Sequence, residues 1–351
     1  MNEILIEDFE NLIKKNNSLN KFEGKTILIS GINGFIPSYL TEFLLYLNDK
    51  YFEKKIKIIG IARNKEKCQN RFKKYLNKKN LKFIYQDIVK NLEFEEKIDY
   101  IFHAASQASP KYYLTDPVGT INANVLGTLN LLEIAKKNKI NGFLFFSSSE
   151  VYGKVSTNDA FLREEDAGSI DLLDIRNCYA GSKQMGEIYC QSYFKQYNIP
   201  IKIVRIFHTY GPGLQAGDGR VFMDFIENVL RNEDIELKST GEAKRTFCYV
   251  GDAIDAYLKV ILKGENGGVY NVCNIFQEVS VKDLAEKVIE ASGKKLKVKM
   301  IERKKGDVYL PSKINRNIGD ISKIKLLGWN PEIDILEGFK RTIKYMEIEN
   351  K

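Results

Sequence analysis

The chain has 351 residues, 44% of them hydrophobic and 28% charged, enough for a large core and two subdomains and typical of a globular protein rather than a disordered one. Its net charge of +8 comes from lysines scattered along the chain with no single dense basic block, which argues against nucleic acid and suits a phosphate-bearing small substrate. Five cysteines without a CxxC pair and only two histidines argue against a metal site, and no apolar run reaches the roughly 18 residues of a membrane span.

The opening MNEILIEDFENLIKK carries acids and no cleavage-like segment, so a reduced, cytoplasmic enzyme is expected. Ile4, Leu5, Phe9, Leu12 and Ile13 fall near helical spacing, predicting an amphipathic helix over 4–15 within an N-terminal extension, residues 1–22. From Lys25 the rhythm changes to short β-rich runs alternating with helical patterns. TILIS (26–30), KIIGIA (57–62), KFIYQD (82–87), YIFHAA (100–105), GFLFFSS (142–148) and IKIVRIF (201–207) are the predicted strands. Such continuous apolar runs fit strands buried on both faces, hence an α/β fold with a parallel sheet covered by helices and a ligand crevice at its C-terminal edge.

TILIS runs into GINGFIP and then a helical stretch. Gly31 allows a tight turn, and Gly34 lets the backbone approach a pyrophosphate at the helix N-terminus. Pro37 stands where a third small residue is usual, so close helix–strand packing must differ there. The second strand ends in Arg63, with Lys67 one turn on, where an acid usually meets the ribose of NAD. That arrangement would suit the 2′-phosphate of NADP; the reaction class favours NAD, and NADP stays open. Asp87, ending the third strand, is a candidate for the adenine amino group.

Ser148, Ser149 and Glu150 close the fifth strand, and Tyr179-Ala-Gly-Ser-Lys183 follows about thirty residues later. The Tyr-x-x-x-Lys spacing puts phenol and ammonium on neighbouring turns of one helix, where the lysine would stabilise tyrosinate and lower the phenol's pKa toward working pH. After about residue 212 the pattern is more mixed, with short strands, loops and two helical stretches. Arg220 and Arg245 are candidate diphosphate or sugar contacts, since guanidinium groups bind phosphate by paired hydrogen bonds.

GINGFIP, HAASQAS, NVLGT, SSSEVYG, YAGSK and RIFHTYGPG occur in an order and spacing that resembles the extended short-chain dehydrogenases/reductases acting on nucleotide sugars, the NAD-dependent epimerase/dehydratase family, from about Lys25 to Trp329. The resemblance implies a Rossmann-like doubly wound sheet over 23–211 and a smaller, mixed nucleotide-sugar-binding lobe over 212–351. It also implies that Ser148 and Tyr179 contact the sugar's 4-hydroxyl while Lys183 holds the nicotinamide ribose. Further positions that match the family's cofactor site are Asn33, Phe35, Ile36, Ile88, Ala104, Ala105, Ser106 and Asn124; Tyr112 matches a substrate position. The Ser149–Glu150 pair resembles UDP-glucuronate decarboxylases, as do the stretches around Tyr112, Tyr179 and His208. His208 stands where those enzymes carry Asn, and a satisfied core histidine reads equally well. Their carboxylate-engaging arginine is matched here by Asn317, with Arg316 one residue early. The expectation is an NAD-dependent enzyme that oxidises C4, with Glu150 handling protons and Ser149 and Arg316 orienting the sugar. UDP-glucuronate decarboxylation leads; a 4,6-dehydratase or 4-epimerase is the alternative. The family also implies a homodimer through helices at about 117–136 and 179–196.

Overall fold

The structure, a computed structural model, describes residues 1–155, 161–217, 219–301 and 316–349. Helix α1 (Glu3–Lys15) precedes strand β1 (Thr26–Ser30), helix α2 (Phe35–Lys50), and strands β2 (Lys57–Ala62), β3 (Leu81–Tyr85) and β4 (Tyr100–His103). Helix α3 (Pro117–Asn138), strand β5 (Gly142–Ser148), helix α4 (Cys178–Tyr197), and strands β6 (Ile201–Ile206) and β7 (His208–Tyr210) follow. Next come helix α5 (Val221–Arg231), strand β8 (Lys244–Tyr249), helix α6 (Val250–Lys263), strands β9 (Val269–Val272), β10 (Glu278–Ser280) and β11 (Arg316–Asn317), and helix α7 (Ile335–Glu349).

The six predicted strands all join one sheet, and β9 adds a seventh from the chain beyond residue 212, in the order β9-β6-β5-β4-β1-β2-β3. Every pairing is parallel. The order reverses between β1 and β4, so their C-terminal ends splay apart into a crevice where a doubly wound sheet takes its ligand. Burial on both faces explains the unbroken apolar strands. On β5, Leu144 and Phe146 enter the core with α2 and α6, while Phe143 and Phe145 enter the other core with α3 and α4. Alternation then sends Ser147 toward α4, and Ser148, at the strand's end, lies beside Tyr179.

The chain after residue 212 is more helical than expected: α5, α6, Val281–Ser292 and α7 are all amphipathic helices of more than two turns. A second sheet centres on β8, which pairs with β10 antiparallel and with β7 and β11 in parallel. Helix α1 is bound into the body. Its buried Asp8 accepts hydrogen bonds from Tyr39 on α2 at 2.7 Å, Tyr249 at 2.6 Å and Arg341 on α7 at 3.0 Å.

Candidate active site

The turn after β1 is shaped by two close approaches. Gly31 has φ +64, and a Cβ there would stand 2.8 Å from the Cα of Ala105, so the loops after β1 and β4 touch backbone to backbone. Gly34 caps α2, with Phe35 and Ile36 in the first helical turn and Pro37 buried behind them. The side chain of Ile32 fills the space over Gly60 of β2, where an added Cβ would come within 2.3 Å of it.

Ser30 ties the two loops together: its Oγ accepts from the Ala104 and Ala105 amides at 3.1 and 3.0 Å and meets Nδ1 of His103 at 2.8 Å. The opposite ring nitrogen meets Thr128 Oγ1 of α3 at 2.9 Å. Beyond this frame, Oδ1 of Asn124 and Oε1 of Gln107 are buried without partners, although Nδ2 of Asn124 donates to Ser182 at 2.9 Å. Orphaned buried acceptors beside a glycine turn and a helix N-terminus fit a dinucleotide. Ser106 lies beside the Tyr179 phenol. Ile88 is buried against Gly127 of α3. Asp87 lies past the end of β3 and caps the amide of Val89 at 3.1 Å. Arg63 is exposed at the end of β2, with Asp116 within electrostatic reach.

Gly186 lets α4 lie directly on β5, since a Cβ there would come within 2.5 Å of the Phe145 ring. Beneath it, Glu187 receives Ser147 Oγ at 2.5 Å and Arg205 of β6 at 2.7 Å. This buried network fixes α4 against the strand, so Tyr179 and Lys183 stand beside Ser148. Lys183 donates to the Phe146 carbonyl at 2.7 Å, with its Nζ 5.9 Å from the centre of the Tyr179 ring.

The lowering of the phenol by this lysine is not seen among the protein groups alone. Burial pushes Tyr179 up to about 12, against the Ser148 hydroxyl, and pushes Lys183 down to about 7. Both are fully enclosed, so desolvation penalises each charged form, and the ammonium is spent on a carbonyl instead of the phenol. Tyr179 also stacks on Tyr113, centroids 5.1 Å apart and planes 16° from parallel.

Ser148 caps the turn Ser149–Tyr152, its Oγ accepting from the Glu150 amide at 3.2 Å. Glu150 is paired with Arg176, Nη1 to Oε2 at 2.8 Å. Ser149 Oγ accepts from Nδ2 of Asn317 at 2.9 Å, across 168 residues of sequence. Neighbouring strand residues face opposite ways, and Arg316 accordingly turns from Ser149 to Glu278 at 2.7 Å. His208, Arg220 and Arg245 do come together: burial first, then the two guanidinium charges, push the imidazole down to about 3. Arg220 also lies over Phe35, 5.9 Å from the ring centre, and its charge reaches Tyr179. Tyr112 lies half-buried on the short helix Pro110–Thr115, next to Tyr113.

Sequence reasoning missed Tyr113 and Arg176. The arginine lies three residues before Tyr179 in RNCYAGSK, where the 3₁₀ turn Ile175–Asn177 leads straight into α4 and carries it back over Glu150. That adjacency was its one available signal.

The sequence model of the NAD dependent epimerase/dehydratase family matches residues 27–273. UDP-glucuronic acid decarboxylase 5 of Arabidopsis thaliana is 35% identical over 314 residues, covering 89% of this chain and 86% of that protein. UDP-glucuronic acid decarboxylase 1 of Xenopus tropicalis is 32% identical over 340 residues, covering 94% and 74%. Among solved structures, a UDP-glucose 4-epimerase of Thermotoga maritima superposes with TM-score 0.75 at 26% identity, covering 93% of this chain and 100% of that one.

Proposed function

Because this chain belongs to the NAD-dependent epimerase/dehydratase family and uses NAD as its cofactor, we propose that it oxidises C4 of a nucleotide-bound sugar, with UDP-glucuronate as substrate and carbon dioxide as the first product. The observation that carries this reading is the meeting of Tyr179, Ser148, Lys183 and Glu150 at the C-terminal end of β5, beside the glycine turn. The turn at Gly31–Gly34, Asn33, the first residues of α2, the loop Ala104–Ser106 and Asn124 would hold the cofactor, and Lys183 its ribose. When bound, NAD supplies the hydride acceptor.

Ser148 and Tyr179 hold the 4-hydroxyl; with the positive charge of oxidised NAD bound, the Tyr179 phenol would ionise and take the hydroxyl's proton as the C4 hydrogen leaves with its electron pair. The resulting ketone makes the C5 carboxylate a β-keto acid, so the C5–carboxyl bond breaks with its electrons entering the ring as an enolate. Glu150 handles the proton that returns to C5, and the resulting 4-keto pentose nucleotide is either reduced again at C4 by the same hydride or released as the ketone. Arg220 and Arg245 neutralise the diphosphate, and His208, kept neutral between them, donates or accepts a hydrogen bond without adding charge. The lobe over 212–351 supplies the two arginines, and His208 lies just before it. Two copies would pair through α3 and α4, where Val118, Ile121, Met185 and Ile188 are exposed. The five unpaired cysteines fit a reducing compartment, the cytoplasm.

Asn317 favours a second reading. A neutral amide, not a guanidinium, faces Ser149, which matches a neutral hexose nucleotide and a 4-epimerase or 4,6-dehydratase. Incubation with UDP-glucuronate and with UDP-glucose separates the two. Carbon dioxide release from the first supports decarboxylation. Turnover of the neutral sugar alone, without gas, would reject it.

A further inference from the structure

Arg176 is placed at some expense. The turn that carries it is otherwise solvated: Leu173 is 96% exposed and Ile175 49%, yet the Arg176 side chain is folded inward and only 11% exposed. Two of its nitrogens meet the two oxygens of Glu150, at 2.8 and 3.4 Å. Its Nε is buried with no acceptor. Asp174 fixes the turn by accepting the Arg176 amide at 3.1 Å. Burying an ion pair adds little net stability, and an orphaned N–H subtracts from it. The arrangement is therefore better explained by what it does to Glu150 than by what it adds to the fold.

We propose that Arg176 is a positioning residue, which holds the Glu150 carboxylate in one orientation beside Tyr113 and Tyr179 by its paired hydrogen bonds. Tyr113, from the short helix before α3, and Tyr179, from α4, both lie within reach of the Glu150 charge, and Arg176 holds that carboxylate through both of its oxygens. Without Arg176 the carboxylate loses both anchors, and its partly exposed side chain is free to turn away from the phenols toward water. The inference rests on the reading above that Glu150 acts at the ring.

The test compares Glu150→Gln, Arg176→Gln, Arg176→Lys and the Glu150→Gln/Arg176→Gln pair, each by kcat and KM on whichever nucleotide sugar the enzyme turns over. Arg176→Gln is expected to lower kcat by about 10-fold or more with KM little changed. Arg176→Lys should restore part of the loss. The double variant should be no slower than Glu150→Gln alone, because the arginine acts only through the carboxylate. If Glu150→Gln is impaired while Arg176→Gln keeps the wild-type kcat, the positioning role falls and the role of Glu150 stands. If Glu150→Gln turns over normally, the reading of Glu150 falls and takes this one with it. Should Arg176→Gln not fold, a Glu150→Gln/Arg176→Lys pair slower than Glu150→Gln alone overturns the proposal equally.

Discussion

The two ends of the crevice are built by different means. At the β1 end, the surface is mostly backbone: Gly31 against Ala105, the N-terminus of α2, and two loops sewn together by Ser30. At the β5 end, it is mostly side chains brought from distant stretches: Arg176 onto Glu150, Asn317 onto Ser149, and Arg245 beside His208. A backbone cradle tolerates little variation and serves a ligand that never changes. A side-chain wall can be rebuilt residue by residue for another sugar.

The sharpest way to break this contrast is Tyr179→Phe. It removes one oxygen from the side-chain end and should lower kcat by about 10²–10⁴-fold, while NAD titration by fluorescence quenching changes far less. Loss of cofactor binding on the same scale would mean that the two ends are not separable. Gly31→Val attacks the other end. A left-handed φ costs a β-carbon about 1–2 kcal/mol, before the contact with Ala105 is relieved. NAD affinity should fall by about tenfold or more, read in the same titration, with the far-UV circular dichroism unchanged.

The two histidines sharpen the comparison, since one sits in each region. Both are held below the usual imidazole pKa by burial, then by Lys183 for His103 and by Arg245 and Arg220 for His208. A depressed imidazole means that the unfolded chain binds the proton and the folded one does not. Stability is therefore lost as pH falls from about 6.5 toward about 3, the window set by the depressed His208 imidazole. Urea unfolding of His208→Asn and wild type at several pH values should show the variant losing less stability on acidification, the difference in slope approaching about 1.4 kcal/mol per pH unit. Parallel curves would place the His208 imidazole in solvent-like surroundings. The smallest effect is expected of Asn317→Ala, which removes the donor to Ser149 at a cost of about 1 kcal/mol. It should alter KM for the sugar more than the melting temperature.

The same contrast explains what could be read from the sequence. The strands, the glycine turn and Tyr179–Lys183 are local patterns, each encoded within a few residues, and all appear where their spacing puts them. Strand β9 was not read because four residues, Val269–Val272, follow a helix that carries most of the local apolar signal. The extra helices beyond residue 212 were masked by short loops. The lysine's effect on the phenol is not legible for a different reason: spacing gives proximity, but says nothing of what burial does to either charge. The contact of Asn317 with Ser149 spans half the chain, and no local pattern announces it. Arg176 stood three places from Tyr179, but only the turn at Ile175–Asn177 reveals which way it faces.

Strand β11 holds one last consequence. It is two residues long, paired to Lys244 and Arg245, and its two side chains look in opposite directions, the amide inward and the guanidinium outward. Sliding that segment by a single place would exchange them, swinging a cation over Ser149 and leaving the amide at Glu278. One inserted or deleted codon nearby is thus a route from a neutral wall to a positively charged one, without any change to the cradle that grips the nicotinamide carrier.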